Sequence, residues 1–214
     1  EARAYVGIIA GAVILISVNT FHLFRNLGET LLHVSFQVAS IITTTGFSTV
    51  DFELWPEFSR TILVVLMFVG ACAGSTGGGI KVSRIVIMGK TILKELALMI
   101  HPRTVRKTRF EGKMVEHEVL RSINVFLISY LAIFVLSTLI ISLDNLDGIT
   151  NFTAVASTMN NIGPGLSKVG PTQNFSLFSN LSKLVLTFDM LAGRLEIFPM
   201  LIMCTMGIKR KRWG

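Results

Sequence analysis

Charge is scarce in this sequence: 15% of its 214 residues are Asp, Glu, Lys or Arg, against 51% hydrophobic ones. That balance is too apolar for an ordinary soluble domain of this size and makes a bilayer the natural solvent. Cysteine is nearly absent as well. Cys72 and Cys204 both lie in apolar stretches, where small buried thiols are expected rather than a disulfide framework. Neither has ligand spacing to the scattered His22, His33, His101 and His117. With no catalytic triad, metal cluster or acid/base pair visible, the sequence points away from an enzyme and from a directly bound cofactor. The chain runs from Glu1–Tyr5 straight into hydrophobic sequence, so no signal peptide is evident and it reads as a segment of something longer.

What the sequence does have is long apolar runs. Ile123 to Leu143 is interrupted only by Asn124 and by hydroxyl or Tyr side chains, and it matches the roughly 20 residues needed to cross a hydrocarbon core. Three blemished runs accompany it: Ala4 to Phe24, Thr61 to Ala73 continuing as Ile85 to Ile100, and Leu184 to Ile208. The net charge of +7 raises nucleic-acid binding, but the basic residues are not interleaved with aromatics and instead bracket the spans. One cluster holds Lys81, Arg84, Lys90, Lys94, Arg103, Arg106, Lys107, Arg109 and Lys113, and the other Lys209 to Arg212. The positive-inside rule puts both segments, 81–113 and 209–212, in the cytoplasm of an integral plasma-membrane protein. Two spans between them, Ile123 to Leu143 and Leu184 to Ile208, close the count of crossings.

A weak internal repeat organises the chain. Phe36 and Val38-Ala39-Ser40 precede Gly46, and Phe152 and Val155-Ala156-Ser157 precede Gly163, with equal spacing from triplet to glycine. Each motif lies between two hydrophobic runs. Asn26 or Gly28 can cap a helix through Thr43, with Glu29 in its first turn, and Asp147 or Thr150 can start one through Met159. Neither is long enough to span. Such a helix, ending in polar glycine-containing sequence between full spans, is the pattern of a re-entrant pore helix and loop, although position alone also fits an external linker helix.

The loops read Thr43-Thr44-Thr45-Gly46-Phe47-Ser48-Thr49 and Asn160-Asn161-Ile162-Gly163-Pro164-Gly165-Leu166. With Gly70 to Lys81 and Leu191 to Pro199, they make the chain resemble the Trk/Ktr potassium transporter superfamily, and within it the Trk potassium-uptake membrane subunits, along nearly its whole length. The resemblance implies an all-α membrane protein with two of four pore units, the third over 1–113 and the fourth over 114–214. It implies a potassium filter of backbone carbonyls from Thr44, Thr45, Gly46 and Phe47 and from Asn161, Ile162, Gly163 and Pro164. Carbonyls can replace the ion's hydration shell, and glycine supplies the positive φ that aims them. Members with Ser for the first filter glycine tend toward sodium, so both glycines favour potassium. Also implied are missing N-terminal pore units, a homodimer and a cytosolic nucleotide-binding regulatory subunit, in a bacterial inner membrane.

Gly74, Ser75, Thr76, Gly77, Gly78 and Gly79 interrupt a span. At about 1 kcal/mol per Gly relative to Ala, the four glycines make unwinding the expected outcome. By the resemblance this is a gate beneath the filter; a cytoplasmic turn is the plainer alternative. A phosphate-binding loop fails because Ile80 separates Gly79 from Lys81 and Val82 follows. Asp189, Arg194 and Glu196 lie in the last span, where ionisable groups need a purpose. Arg194 is expected to join the gate as an electrostatic barrier, with a structural ion pair as the rival. A non-conducting assembly or signalling subunit would explain the spans but not the paired loops, and a less selective sodium/potassium transporter is the nearer alternative.

Overall fold

The computed structural model describes residues 1–75, 77–101 and 109–194. Thr76, Arg103, Arg106, Lys107, the Leu195–Pro199 part of the last motif with Glu196, Cys204 and the basic tail 209–212 lie outside the described residues.

Among the described residues, two helices are long and apolar enough to cross a membrane. The first is α1 (Ala2–Thr20), continued by a 3-10 turn at Phe21–Leu23. The second is α5 (His117–Ile141), continued by a turn at Ser142–Asp144. The most apolar stretch of each rod has a mean hydropathy of 2.0 or more, and with their turns the rods run to 22 and 28 residues. At about 1.5 Å per residue they exceed the roughly 30 Å hydrocarbon core. Only 22% and 28% of their apolar windows is buried within the chain, leaving Ile14, Val18, Ile128 and Leu139 exposed. That is the profile of helices whose remaining surface a bilayer covers.

Between these rods and the later helices stand two shorter ones, α2 (Leu27–Ile42) and α6 (Gly148–Met159), of 16 and 12 residues. Both begin where local chemistry starts a helix. Extended Asn26 precedes α2, and Glu29 in its first turn accepts the Arg25 N–H at 3.2 Å. The Asp147 carboxylate accepts the Thr150 N–H at 2.9 Å and its hydroxyl at 2.7 Å, satisfying donors that the first turn leaves open. The glycine-rich run divides one apolar stretch into α3 (Glu57–Phe68) and α4 (Val82–Ile100), and α7 covers Asn180–Arg194.

The chain is not wholly helical. Arg109–Phe110 (β1) and Lys113–Met114 (β2) form a small antiparallel hairpin, because Glu111 and Gly112 take φ of 49° and 81°, the left-handed pair of a tight hairpin turn.

Two apolar cores result, each borrowing from the other's elements. The first gathers Ile16, Val34, Val38, Ile41, Leu63 and Met67 from α1 to α3, together with Ile162 and Leu166 from the loop after α6. The second gathers Phe126, Tyr130, Phe134, Ala154, Met159 and Leu186 from α5 to α7, with Phe68 and Ile80 packed on it. Phe68, at the break after α3, meets Phe134 at 5.6 Å and Phe152 at 6.0 Å between ring centroids. The loops are thus wedged between two packed cores.

Candidate functional site

The loops after α2 and α6 have the same backbone construction. Thr44 and Gly46 have φ of 57° and 79°; Asn161 and Gly163 have 57° and 111°. The bonds recur at one constant offset. Thr43 and Asn160 N–H donate to Ala39 and Ala156 carbonyls at 3.0 and 3.1 Å, and Thr44 and Asn161 to Ile41 and Thr158, both at 3.0 Å. Thr45 and Ile162 N–H reach the Ser40 and Ser157 carbonyls at 2.8 and 2.9 Å. Serine hydroxyls complete the hold without keeping that offset, since Ser40 Oγ donates to the Phe47 carbonyl seven residues on and Ser157 Oγ to that of Gly163 six residues on, both at 2.5 Å. Two of the eight carbonyls read as ion ligands are therefore already engaged, each retaining a second lone pair. The glycines were legible in advance; the left-handed residue two positions earlier was not. Asn161 suits that conformation, whereas β-branched Thr44 is strained in it.

These loops meet. A Cβ added at Gly46 would overlap the Ile162 carbonyl oxygen and stand 3.2 Å from Pro164 Cδ. The glycine-rich segment lies against both. A Cβ at Gly77 would be 3.4 Å from Thr44 Oγ1, and one at Gly78 would overlap the Asn160 carbonyl. Its neck is closed by Gly70 N–H to the Ile80 carbonyl at 2.9 Å and Ile80 N–H to that of Phe68 at 3.2 Å. Gly74 and Gly79 have φ of 82° and 78°, and Cys72 beside them is a free thiol. Asn160 is fully buried, accepting the Tyr130 hydroxyl at 2.9 Å and donating to the Ala156 carbonyl at 2.7 Å.

Two cations take part that read, from sequence, as members of a cytoplasmic cluster setting topology. Lys81 is 7% exposed, and its Nζ donates to the Ser75 and Gly77 carbonyls, both at 2.6 Å. The Arg84 guanidinium lies 4.0 Å over the Phe126 ring. Both are placed by the helix break, which a count of basic residues near spans does not reveal. A cavity of about 60 Å³ joins Ser75, Gly77, Lys81 and Arg84 to Tyr130 and Arg194. Arg194 reaches it because α7 packs tightly on the end of α6: a Cβ at Gly193 would overlap the Met159 carbonyl oxygen. Asp189 points elsewhere, its buried carboxylate accepting the Ser137 hydroxyl of α5 at 2.7 Å.

Rods apolar enough to span a bilayer, short helices ending in left-handed loops and a cation-lined break fit a membrane protein. Residues 6–210 match the TrkH family of cation transport proteins, and the chain belongs to that family. It is 35% identical over 207 residues to the Trk system potassium uptake protein TrkH of Escherichia coli strain K12, covering 96% of this chain and 42% of that protein. Identity to the protein of that name from Vibrio parahaemolyticus is 41% over 170 residues, covering 79% of this chain and 35% of that protein. The crystal structure of the potassium transporter TrkH from Vibrio parahaemolyticus superposes with a TM-score of 0.85 at 35% identity, covering 94% of this chain and 43% of that one. The chain thus spans about two-fifths of the length of these relatives, which are membrane transport proteins rather than enzymes.

Proposed function

We propose that this chain supplies two adjacent pore units of a potassium transporter, residues 1–113 and 114–214, each a span, a re-entrant helix with its loop, and a second span. The observation that carries the reading is the shared bond pattern of the two loops, built on helices too short to cross a membrane and brought into contact at Gly46 and Ile162. Carbonyls of Thr44, Thr45, Gly46, Phe47, Asn161, Ile162, Gly163 and Pro164 line the filter and stand in for water around a dehydrated potassium ion. The C-terminal ends of α2 and α6, each with about half a negative charge, favour a cation below it.

The segment Gly74, Ser75, Thr76, Gly77, Gly78 and Gly79 is the gate, with Arg194 as its electrostatic partner. Irregular backbone at membrane depth survives where it lines water or packs on protein, and Lys81 holds this segment by two of its carbonyls. The remaining units come from the rest of the transporter. An apolar cleft of about 480 Å³ beside the second loop, between Gly163, Phe175 and Met190, suits their packing. The family resemblance adds a homodimer and a cytosolic nucleotide-binding regulator, with segments 81–113 and 209–212 on the cytoplasmic face of an inner membrane.

The test is uptake by the intact transporter with potassium and sodium in competition. Gly46→Ser and Gly163→Ser should each degrade potassium preference, because a side chain opposes the left-handed backbone. Unchanged selectivity in both removes the filter assignment.

A further inference from the structure

The second loop is tied to a carboxylate that comes from the other half of the chain. Glu53 sits in a short turn, Phe52–Leu54, capped by Asp51, whose Oδ1 accepts the Glu53 N–H at 3.0 Å. One Glu53 carboxylate oxygen accepts the Arg60 Nη1 donor at 2.6 Å. The other accepts the Ser167 N–H at 2.9 Å, across 114 positions of sequence. The Arg60 and Glu53 side chains are 23% and 27% exposed, so the pair is largely shielded, where a charge-assisted bond outweighs an ordinary surface pair.

Ser167 is not an ordinary acceptor of help. Its φ is 58°, a conformation that a residue with a Cβ leaves readily unless its neighbours hold it. It directly follows Leu166, whose side chain is buried in the first core and whose N–H donates to Thr153 Oγ1 at 3.0 Å. Three residues before Leu166 stands Gly163. A second strand of the same tie links the Thr172 hydroxyl to Asp51 Oδ2 at 3.3 Å.

The counterpart turn in the other half lacks the carboxylate. Asn174-Phe175-Ser176-Leu177 repeats the shape of Asp51-Phe52-Glu53-Leu54, with Asn174 accepting the Ser176 N–H at 3.0 Å. Lys183 stands where Arg60 does and donates to the Ser176 backbone carbonyl at 3.1 Å. The local scaffold therefore needs a cation at this place, while an anion is present only where a neighbouring loop is in reach.

We propose that Glu53 is a positioning residue for the second filter loop: oriented by Arg60, its carboxylate fixes the Ser167 N–H and with it the segment leaving Gly163. This rests on the filter reading above. It makes ion preference at one loop depend on an acidic side chain from the adjacent unit.

The experiment uses the intact transporter, scoring potassium against sodium uptake per correctly inserted molecule. Glu53→Ala and the isosteric Glu53→Gln should lower the preference, by about threefold or more for Ala and less for Gln, in keeping with loss of a charge-assisted bond. A purely structural role would change the amount inserted and leave the ratio per molecule at the parent value, which overturns the proposal. The exchange Glu53→Arg with Arg60→Glu restores an ion pair without an acceptor at Ser167, and it should stay defective. If it regains parental selectivity, the ion pair alone matters and the brace is wrong. Gly163→Ala serves as the reference. If it too leaves the ratio unchanged, the filter reading has failed, and the brace with it. If it shifts the ratio while both Glu53 variants do not, the brace alone has failed.

Discussion

In the first loop Gly46 has no room for a side chain, because the Ile162 carbonyl of the second loop presses on it. In the second loop Gly163, at the corresponding place, has nothing within 4 Å of where a Cβ would stand. The backbones are alike and the surroundings are not. The first loop is held within its own half, where His33 Nδ1 lies 2.9 Å from Thr49 Oγ1. The second is held across the halves, by Glu53 at Ser167, as well as within its own, by Asn161 Nδ2 donating to the Met190 carbonyl of α7 at 3.0 Å. Shared sequence at the triplets and glycines reproduces a conformation, and unshared sequence around it decides how stiffly that conformation is kept.

Alanine at the two glycines breaks or sharpens this contrast most strongly. Gly163→Ala meets only the dihedral penalty of a left-handed residue, about 1–2 kcal/mol, which corresponds to a change in preference of about tenfold. Gly46→Ala adds a backbone collision and should abolish selective uptake. Equal effects of the two substitutions on competitive potassium and sodium uptake would contradict the contrast.

Arg194→Gln and Lys81→Met come next, since both act on the segment that touches both loops. Lys81→Met keeps the length and removes the donor to the Ser75 and Gly77 carbonyls, so the segment loosens and basal flux rises. Arg194→Gln removes a positive charge from the cavity that Arg194 shares with Ser75, Gly77 and Lys81, and on the proposed reading it should also raise flux with near-normal insertion. A structural ion pair predicts poor assembly instead, because its partner carboxylate would be stranded. A well-inserted Arg194→Gln variant with flux no higher than the parent ends the barrier idea.

The parts of this structure that were legible in the sequence are those fixed by local chemistry. Helix starts at Asn26 and Asp147, the break at the glycine run and the positive φ at Gly46 and Gly163 all follow from residue types within a few positions. The hairpin at Glu111-Gly112 departs from the all-α expectation, and its glycine is the turn signal that accompanies it. Other features depend on distant partners and left no local trace. Lys81 looked like a topology charge because its carbonyl partners exist only once the helix has broken. Glu53 carries no local signal because its partner Ser167 is 114 positions away in sequence. Thr44 gave no sign of a left-handed backbone, since its own preference opposes it and the loop imposes it.

The smallest effect separates the caps of the two short helices. Asn26 precedes α2 without a side-chain bond to its first turn, whereas Asp147 bonds both the N–H and the hydroxyl of Thr150 at the start of α6. Asp147→Ala should therefore lower stability by about 1 kcal/mol, and Asn26→Ala by much less. The Thr150 hydroxyl, and after it the backbone N–H groups, hold the Asp147 carboxyl below its ordinary value of 3.8. A carboxyl depressed in the folded state contributes its full stabilisation above the unfolded value, and that contribution is lost as pH falls through the lower folded value. Thermal unfolding of the detergent-solubilised transporter should thus show a parent-minus-Asp147→Ala difference that is constant near neutral pH and shrinks below about pH 4. The Asn26→Ala difference should stay small and flat across the same range. A difference for Asp147→Ala that persists undiminished at low pH would mean that the carboxylate's charge is irrelevant to the cap.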